Sequence, residues 1–327
     1  MSKKTIVILA GVALLVLLGL GITLLVMSAL YRAPINRPLE LDVTQATVAP
    51  SPLLLATATP VRAKICGNNG DLLILLVGSD FNPGEPPLGA DTVRLARVDF
   101  DNQRVDILAL PRDLLVSVEG KAPENQGRQP LGLSYYYERE AASGSNTAQV
   151  ELATNFLAQT VLVNYGFVSE HYLTVQLKSL AAMVDAVGGV EITLPAPFTT
   201  RDEISFPAGV QTLDGEQAVI FVRAYEGGDD ARRQRQDLFL EGLQRKLFST
   251  AVLNRVPELL KQFEDAIVTD LSPQLLNDLA CLANRVPSEE VNFHEIPADM
   301  LVTTPEGELM VDEAALRTFI VDLFDLP

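Results

Sequence analysis

Hydrophobic and polar positions divide this chain into three stretches of different character. From Ile6 to Leu30 no charged residue occurs, and Leu, Val, Ile, Ala and Gly make up most of the run. About 20 apolar residues cross a bilayer core, and Ser28-Ala29-Leu30 is a poor cleavage site for a signal peptide. Residues 1–31 are therefore expected to be a short cytoplasmic tail and a retained transmembrane anchor. From Ala33 to Arg62 the chain turns to Pro, Ala, Thr and Val, with Pro34, Pro38, Pro50, Pro52 and Pro60, a composition suited to an extended spacer. Residues 32–65 thus read as a stalk that lifts the C-terminal portion off a membrane.

Beyond the stalk, strand and helix patterns alternate. Leu72 to Val77 is a continuous apolar run ended by Gly78, as in a buried central strand. Thr92–Phe100 and Arg104–Leu110 are β-rich and joined by Asp101-Asn102-Gln103, a hairpin that ends at Pro111-Arg112-Asp113. Lys121 to Asn146, with its Gly, Pro, Ser and Asn, reads as a loop region. Thr147–Tyr165 carries apolar residues at helical spacing, Val150, Ala153, Phe156, Leu157 and Val161. Tyr172–Val175 comes next as a strand, Leu177–Val187 as a helix closed by Gly188-Gly189, and Val190–Leu194 as another strand. Helices are expected over Arg232–Phe248, Leu253–Phe263, Pro273–Ala283 and Asp312–Phe324, the third opened by Ser272 with proline at its first position. Val291–Ile296 is the last predicted strand. The class is α/β or α+β, a mixed central sheet flanked by helices. Residues 66–250 are expected to form the main domain, and 251–327 a C-terminal α/β extension packed on it.

Charge narrows the partners. Lys3, Lys4 and Arg32 belong to the anchor region, leaving 22 basic against 42 acidic residues, a net charge of −20. A nucleic-acid binder would show a basic face, so that class is disfavoured. Lys3 and Lys4 before the anchor are nearly matched by Arg32 and Arg37 after it, but long domains translocate largely regardless of flanking charge; with the spacer, this places the C-terminal portion outside the cytoplasm. There an isolated pair, Cys66 and Cys281, suits either a disulfide staple or two buried thiols. With only His171 and His294 and no CxxC spacing, a zinc site is excluded.

Candidate chemistry concentrates in Arg223, Arg232, Arg233 and Arg235, with Asp229 and Asp230 among them. A helix starting near Asp230 puts Arg232, Arg235 and Gln236 on one face, and arginines at a helix N-terminus favour a phosphate-like anion. The competing reading is a solvated helix face with local Asp–Arg pairs. Arg94 and Arg97 face opposite sides of a strand and read as an exposed edge. His171 reads as a packing residue at a strand start, and Tyr135, Tyr136 and Tyr137 as cover for a core edge.

The order of motifs resembles the LytR-CpsA-Psr family of cell-envelope phosphotransferases over roughly Asp71 to Phe248. The matching pieces are Leu75-Leu76-Val77-Gly78-Ser79-Asp80, Asp91-Thr92, Leu110-Pro111-Arg112-Asp113 and Val184-Asp185-Ala186-Val187-Gly188-Gly189-Val190-Glu191. Further on come Leu213-Asp214-Gly215-Glu216-Gln217-Ala218, Val222-Arg223, and Asp229 with Arg232, Arg235 and Gln236. The resemblance implies a membrane-anchored, extracytoplasmic protein of the bacterial cell membrane that binds a polyprenyl pyrophosphate-linked glycan and transfers it to peptidoglycan with Mg²⁺. It implies a catalytic set of Asp80, Asp91, Arg112 and Asp229, with Asp80 and Asp91 on the metal. Arg112, Arg223, Arg232 and Gln236 would hold the pyrophosphate, and either aspartate also suits as acceptor of the attacking hydroxyl's proton. Phosphoryl transfer needs positioning and charge neutralisation more than a covalent nucleophile. The chain departs from the family pattern at Asn82, Gly89 and Tyr225, where arginines are usual, and Arg94, Arg97, Arg233 or Arg235 are the candidates to replace them. That loss leaves two other readings: a catalytically weak envelope binding or scaffold protein of the same fold, or a polyprenyl-diphosphate pyrophosphatase.

Overall fold

The computed structural model describes residues 31–45, 65–79, 89–118, 127–141, 143–247 and 266–326, with isolated positions between 248 and 265. The expected anchor, the spacer beyond residue 45, Asp80 and Asn82, and most of the expected Leu253–Phe263 helix lie outside the described residues. Among the described residues no helix is long and apolar enough to cross a membrane.

Strands β1 (Asp71–Ser79), β2 (Ala90–Asp99) and β3 (Arg104–Leu110) form an antiparallel meander, succeeded by the short pair β4 (Leu115–Ser117) and β5 (Arg128–Pro130). After a helical excursion β6 (His171–Gln176) returns parallel to β1. Strands β7 (Val190–Leu194) and β10 (Gly209–Leu213) pair antiparallel around the two-residue strands β8 (Phe198–Thr199) and β9 (Ser205–Phe206). With β11 (Ile267–Thr269) and β12 (Val291–Glu295) the central mixed sheet has six strands in the order β11-β6-β1-β2-β3-β12.

Its two faces are filled differently. On one, Leu73, Leu75, Val93 and Leu95 pack against Val150, Leu157 and Val161 of the Asn146–Tyr165 helix and against Leu316 and Ile320 of the Glu313–Leu323 helix. Side chains as buried as Leu75, at 0 % exposure, each contribute about 1.5–3 kcal/mol. On the other, Leu72, Ile74, Ala96 and Val98 meet Leu282 of the Pro273–Ala283 helix. That helix covers only the end of the face nearest Leu72. The end nearest Gly78 lies beneath the Gly228–Leu247 helix, which packs so closely on β7 that a Cβ on Gly242 would stand 2.2 Å from the Glu191 carbonyl oxygen.

Local signals explain most boundaries. Ser145 accepts from the Ala148 N–H and Gly166, at φ +70°, closes the same helix; Ser272 and Asp312 cap two others. The expected loop from Lys121 to Asn146 is corrected: Leu131–Ala141 is an α-helix. Gly132, Ser134 and three consecutive tyrosines are weak helix formers, so propensity hides it. Tertiary packing decides instead, with Leu131 and Tyr135 fully buried and Arg139 donating to Asn146 Oδ1 at 2.7 Å and Gln176 Oε1 at 3.3 Å. Arg94 and Arg97 also differ from expectation. They do face opposite sides, but β2 is a central strand, and they are 1 % and 7 % exposed rather than at an edge.

The described start of the spacer lies along the Asn146–Tyr165 helix rather than standing away from it. Glu40 N–H donates to Asn155 Oδ1 at 2.7 Å and Asp42 N–H to Gln159 Oε1 at 2.8 Å, while both amides donate back to the Glu40 and Asp42 carbonyls. Residues four apart on a helix thus read alternate residues of an extended segment. Asn36 pairs with Thr269 of β11 in the same way.

Cys66 and Cys281 are bonded, with Cα atoms 5.6 Å apart across 215 residues of sequence. The bond fixes the domain's entry to the Pro273–Ala283 helix. Unfolded, unreduced protein should show no free thiol by titration, and the Cys66→Ser/Cys281→Ser variant should lose about 2–4 kcal/mol of stability in denaturant. Two titratable thiols, or an unchanged midpoint, would contradict this.

Candidate functional site

Antiparallel pairing sets Val93 opposite Leu110, so the start of β2 and the chain leaving β3 meet at one end of the sheet. Asp91 and Arg112 come from those two points, and Arg112 Nη1 is ion-paired with Asp91 Oδ1. The backbone around Arg112 is fixed by Gly132 N–H donating to its carbonyl at 2.8 Å and by Leu114 N–H donating to Pro111 at 3.1 Å. Gly89 stands beside this junction at φ +67°, and a Cβ there would lie 2.1 Å from the Gly132 carbonyl oxygen. A Cβ on Gly132 would in turn meet Ala90 O at 2.6 Å and Arg112 Cβ at 3.3 Å. Two side-chain-free positions therefore let the start of β2, the Leu131–Ala141 helix and the Arg112 turn approach one another.

The Gly228–Leu247 helix supplies the opposite wall. Arg232, Arg233, Arg235 and Gln236 are all buried, at 4–7 % exposure, which corrects the reading of this run as a solvated face. Each takes a different partner. Arg232 Nη1 lies 3.8 Å from Asp91 Oδ1, on the oxygen that Arg112 already holds. Arg233 pairs with Asp230 and reaches Glu295 Oε1 of β12 at 3.4 Å. Arg235 donates to the Ala224 carbonyl and lies 4.8 Å over the Phe198 ring. Gln236 Nε2 donates to the Val222 carbonyl at 3.3 Å. The last two tie this helix to the C-terminal end of the Gly215–Arg223 helix, where Arg223 stands exposed.

Between the sheet and this helix lies a cavity of about 210 Å³. Its body is apolar, formed by Leu76, Leu173 and Val175 from the strands and Phe239, Leu240 and Leu243 from the helix, while Asp91, Arg223, Arg232 and Gln236 line its polar side. A smaller recess adjoins it, bounded by Asp91, Arg112, Arg232 and Gln236. Of the residues expected from sequence, the structure thus brings Asp91, Arg112, Arg223, Arg232 and Gln236 around one space. Asp80 lies outside the described residues, one residue beyond the end of β1, where Ser79 pairs with Ala90. The Asp229 side chain lies outside them too.

Asp237 at this end escaped the sequence reading, and Arg94 was weighed there only among several replacements for the missing arginines. Arg94 of β2 is ion-paired with Asp237 of the arginine helix. Burial lowers the pKa of the Arg94 guanidinium and raises that of the Asp237 carboxyl, and the attraction between them offsets this only in part. The strand period already sets Arg94 on the face of Thr92, two residues on, and both line the cavity.

Arg112 and Arg232 both reach Asp91 at Oδ1. A carboxylate in this place suits Mg²⁺, which takes one or two carboxylates and completes its shell with phosphate oxygens and water. No cluster of three or more acidic, histidine or cysteine side chains is present among the described residues.

A carboxylate with converging guanidiniums beside an apolar cavity is an arrangement whose chemistry suits an amphiphilic anion. The chain belongs to the LytR_cpsA_psr family, whose model matches residues 45–320. Among curated relatives, the polyisoprenyl-teichoic acid–peptidoglycan teichoic acid transferase TagU of Enterococcus faecalis is 30 % identical over 210 residues, 63 % of this chain and 63 % of that protein. Its Oceanobacillus iheyensis counterpart is 27 % identical over 229 residues, 68 % and 67 % of the two chains. The matches thus span about two thirds of these relatives' length. The mixed sheet between helices is also that of B. subtilis TagV, at TM-score 0.62 and 18 % identity over 80 % of this chain and 99 % of that one. TagT bound to LIIa-WTA gives TM-score 0.58 at 15 % identity, covering 83 % and 96 %.

Gly89 stands where an arginine is usual in this family, and its backbone leaves no room for one. Gly89→Ala should cost more than about 1 kcal/mol from the positive φ alone, with the carbonyl contact adding to it, and Gly89→Arg should not restore a guanidinium to the site. Urea melts check this; an unchanged midpoint for Gly89→Ala would show that the Gly89–Gly132 approach is not a constraint.

Proposed function

We propose that this protein takes a polyprenyl pyrophosphate-linked glycan at the outer face of the bacterial cell membrane and transfers the glycan, with one phosphate, to peptidoglycan. The observation that carries the reading is the junction of the apolar cavity with the Asp91, Arg112 and Arg232 cluster. A ligand that satisfies both parts must join an apolar chain to a multiply charged head. The names of the Enterococcus and Oceanobacillus relatives, polyisoprenyl-teichoic acid–peptidoglycan teichoic acid transferases, describe donors of that kind.

In this reading the cavity receives the part of the polyprenyl chain next to the phosphates. Arg112, Arg223 and Arg232, with Gln236, hold the pyrophosphate oxygens through guanidinium forks and an amide. The acceptor hydroxyl oxygen attacks the phosphorus that bears the glycan, and the bond from that phosphorus to the bridging oxygen breaks. Polyprenyl monophosphate leaves, and the hydroxyl proton passes to a carboxylate, Asp91 or Asp80. Asp91 and Asp80 would hold Mg²⁺, which would neutralise charge on the phosphates. The anchor Ile6–Leu30 keeps the protein beside its lipid donor. Because Asn36 is bonded to Thr269 and lies six residues beyond Leu30, the domain sits close to the bilayer.

The missing guanidiniums at Asn82, Gly89 and Tyr225 keep a second reading in play, a protein that binds the lipid pyrophosphate without turnover. The full chain in detergent, supplied with polyprenyl pyrophosphate-linked glycan, Mg²⁺ and peptidoglycan, separates the possibilities. Glycan covalently attached to peptidoglycan is the expected result. Phosphate release independent of peptidoglycan would identify a pyrophosphatase, and binding with neither product a scaffold.

A further inference from the structure

Four charged residues line the cavity, Asp91, Arg94, Arg223 and Arg232, and only Arg94 stands at no position of the family motifs found in the sequence. It sits at the middle of β2, paired with Leu76 of β1 and Ala109 of β3, and is 1 % exposed. It borders the apolar cavity and the polar recess at once, whereas Arg112 borders the recess alone. Its guanidinium therefore belongs to the wall where an apolar chain gives way to a charged head.

Burying a guanidinium among Leu76, Leu173 and Phe239 is costly unless it is paired and hydrogen-bonded. Asp237 Oδ1 pairs with Nη1, while Nε and Nη2 of Arg94 have no hydrogen-bond partner among the described residues. A guanidinium has five N–H donors in a fixed fork. Buried ion pairs whose only task is structural are often replaceable by apolar side chains with no loss of stability. This pair stands in the wall shared by the apolar cavity and the polar recess, with its guanidinium nitrogens closed over while the site is empty.

We propose that Arg94 is a phosphate-binding residue that contacts the phosphate nearest the lipid chain, with Asp237 as the counter-charge that keeps it buried and oriented when the site is empty. The proposal rests on the lipid-pyrophosphate reading above and adds to it a division of labour. Arg94 serves the chain-proximal phosphate, and Arg112 the distal one.

The test uses the full chain in detergent with three probes: geranylgeranyl pyrophosphate, geranylgeranyl monophosphate and geranylgeraniol. The variant Arg94→Met/Asp237→Leu removes both charges and refills the volume with apolar atoms. Its affinity for the pyrophosphate and for the monophosphate should fall by similar factors, about tenfold or more, while its affinity for the alcohol stays unchanged. Arg112→Ala should weaken the pyrophosphate far more than the monophosphate. Should the double variant bind all three probes as the wild type does, or lose the alcohol as much as the phosphates, Arg94 only shapes the wall and the proposal is overturned. Arg112→Ala then shows separately whether the lipid-pyrophosphate reading stands, since an unchanged pyrophosphate affinity there would remove that reading itself. Arg94→Lys, which keeps the charge pair, covers the case of a poorly folded double variant. At an unchanged unfolding midpoint it should lose several-fold in phosphate affinity because an ammonium lacks the planar fork, and wild-type affinity would overturn the proposal.

Discussion

Four guanidiniums, those of Arg94, Arg232, Arg233 and Arg235, are each less than a tenth exposed at one end of the sheet. An interior tolerates such groups only where each finds an anion or a hydrogen-bond acceptor. Here the acceptors come from separate segments. Asp91 opens β2, Asp237 lies on the arginine helix, Glu295 closes β12 and the Ala224 carbonyl caps the Gly215–Arg223 helix. Satisfying the cations therefore draws four parts of the chain together, and the space they leave above Leu76 and Gly78 is the cavity.

The same constraint accounts for the site's electrostatics in a protein of net charge −17. Acidic residues elsewhere keep the surface negative, yet among the described residues Asp91 is the one carboxylate lining the cavity, and Arg112 and Arg232 share one of its oxygens. Under the proposed function an entering phosphate would compete for donors already oriented by that carboxylate, and the small reorganisation needed would favour binding to groups arranged in advance.

How much of the fold and site was legible in the sequence depended on the range of the signals involved. The Leu72–Val77 run, the Asn146–Tyr165 helix and the Ser272-Pro273 start are local patterns, and each stands where it was expected to within one or two residues. The Leu131–Ala141 helix was hidden because its stability comes from burying Leu131 and Tyr135 against distant strands and from the bonds of Arg139. Asp91, Arg112 and Arg232 could be picked out by their motif order. That Arg94 belongs with them required knowing that β2 is central and that Asp237 lies across from it. Gly89 is a different case: the lost arginine was legible, but the reason the position is closed to a side chain is a contact with Gly132, which is remote in sequence.

The account turns on Arg112 as the residue that joins the carboxylate to the anion, since the Asp91 contact and the fixed Pro111–Leu114 turn give it a set direction. The most direct measurement is the affinity of the full chain for a polyprenyl pyrophosphate in wild type, Arg112→Ala, Arg112→Lys and Arg233→Ala, compared at matched fold stability. Removing a charge-assisted contact of this kind costs about 1.5–3 kcal/mol, so Arg112→Ala should bind roughly tenfold to a hundredfold more weakly. Arg112→Lys should recover only part of the loss, and Arg233→Ala, which borders the recess but reaches Asp230 and Glu295 and stands at no position of the family motifs, should change it less than Arg112→Ala. Equal affinity for Arg112→Ala and wild type would contradict the proposed site.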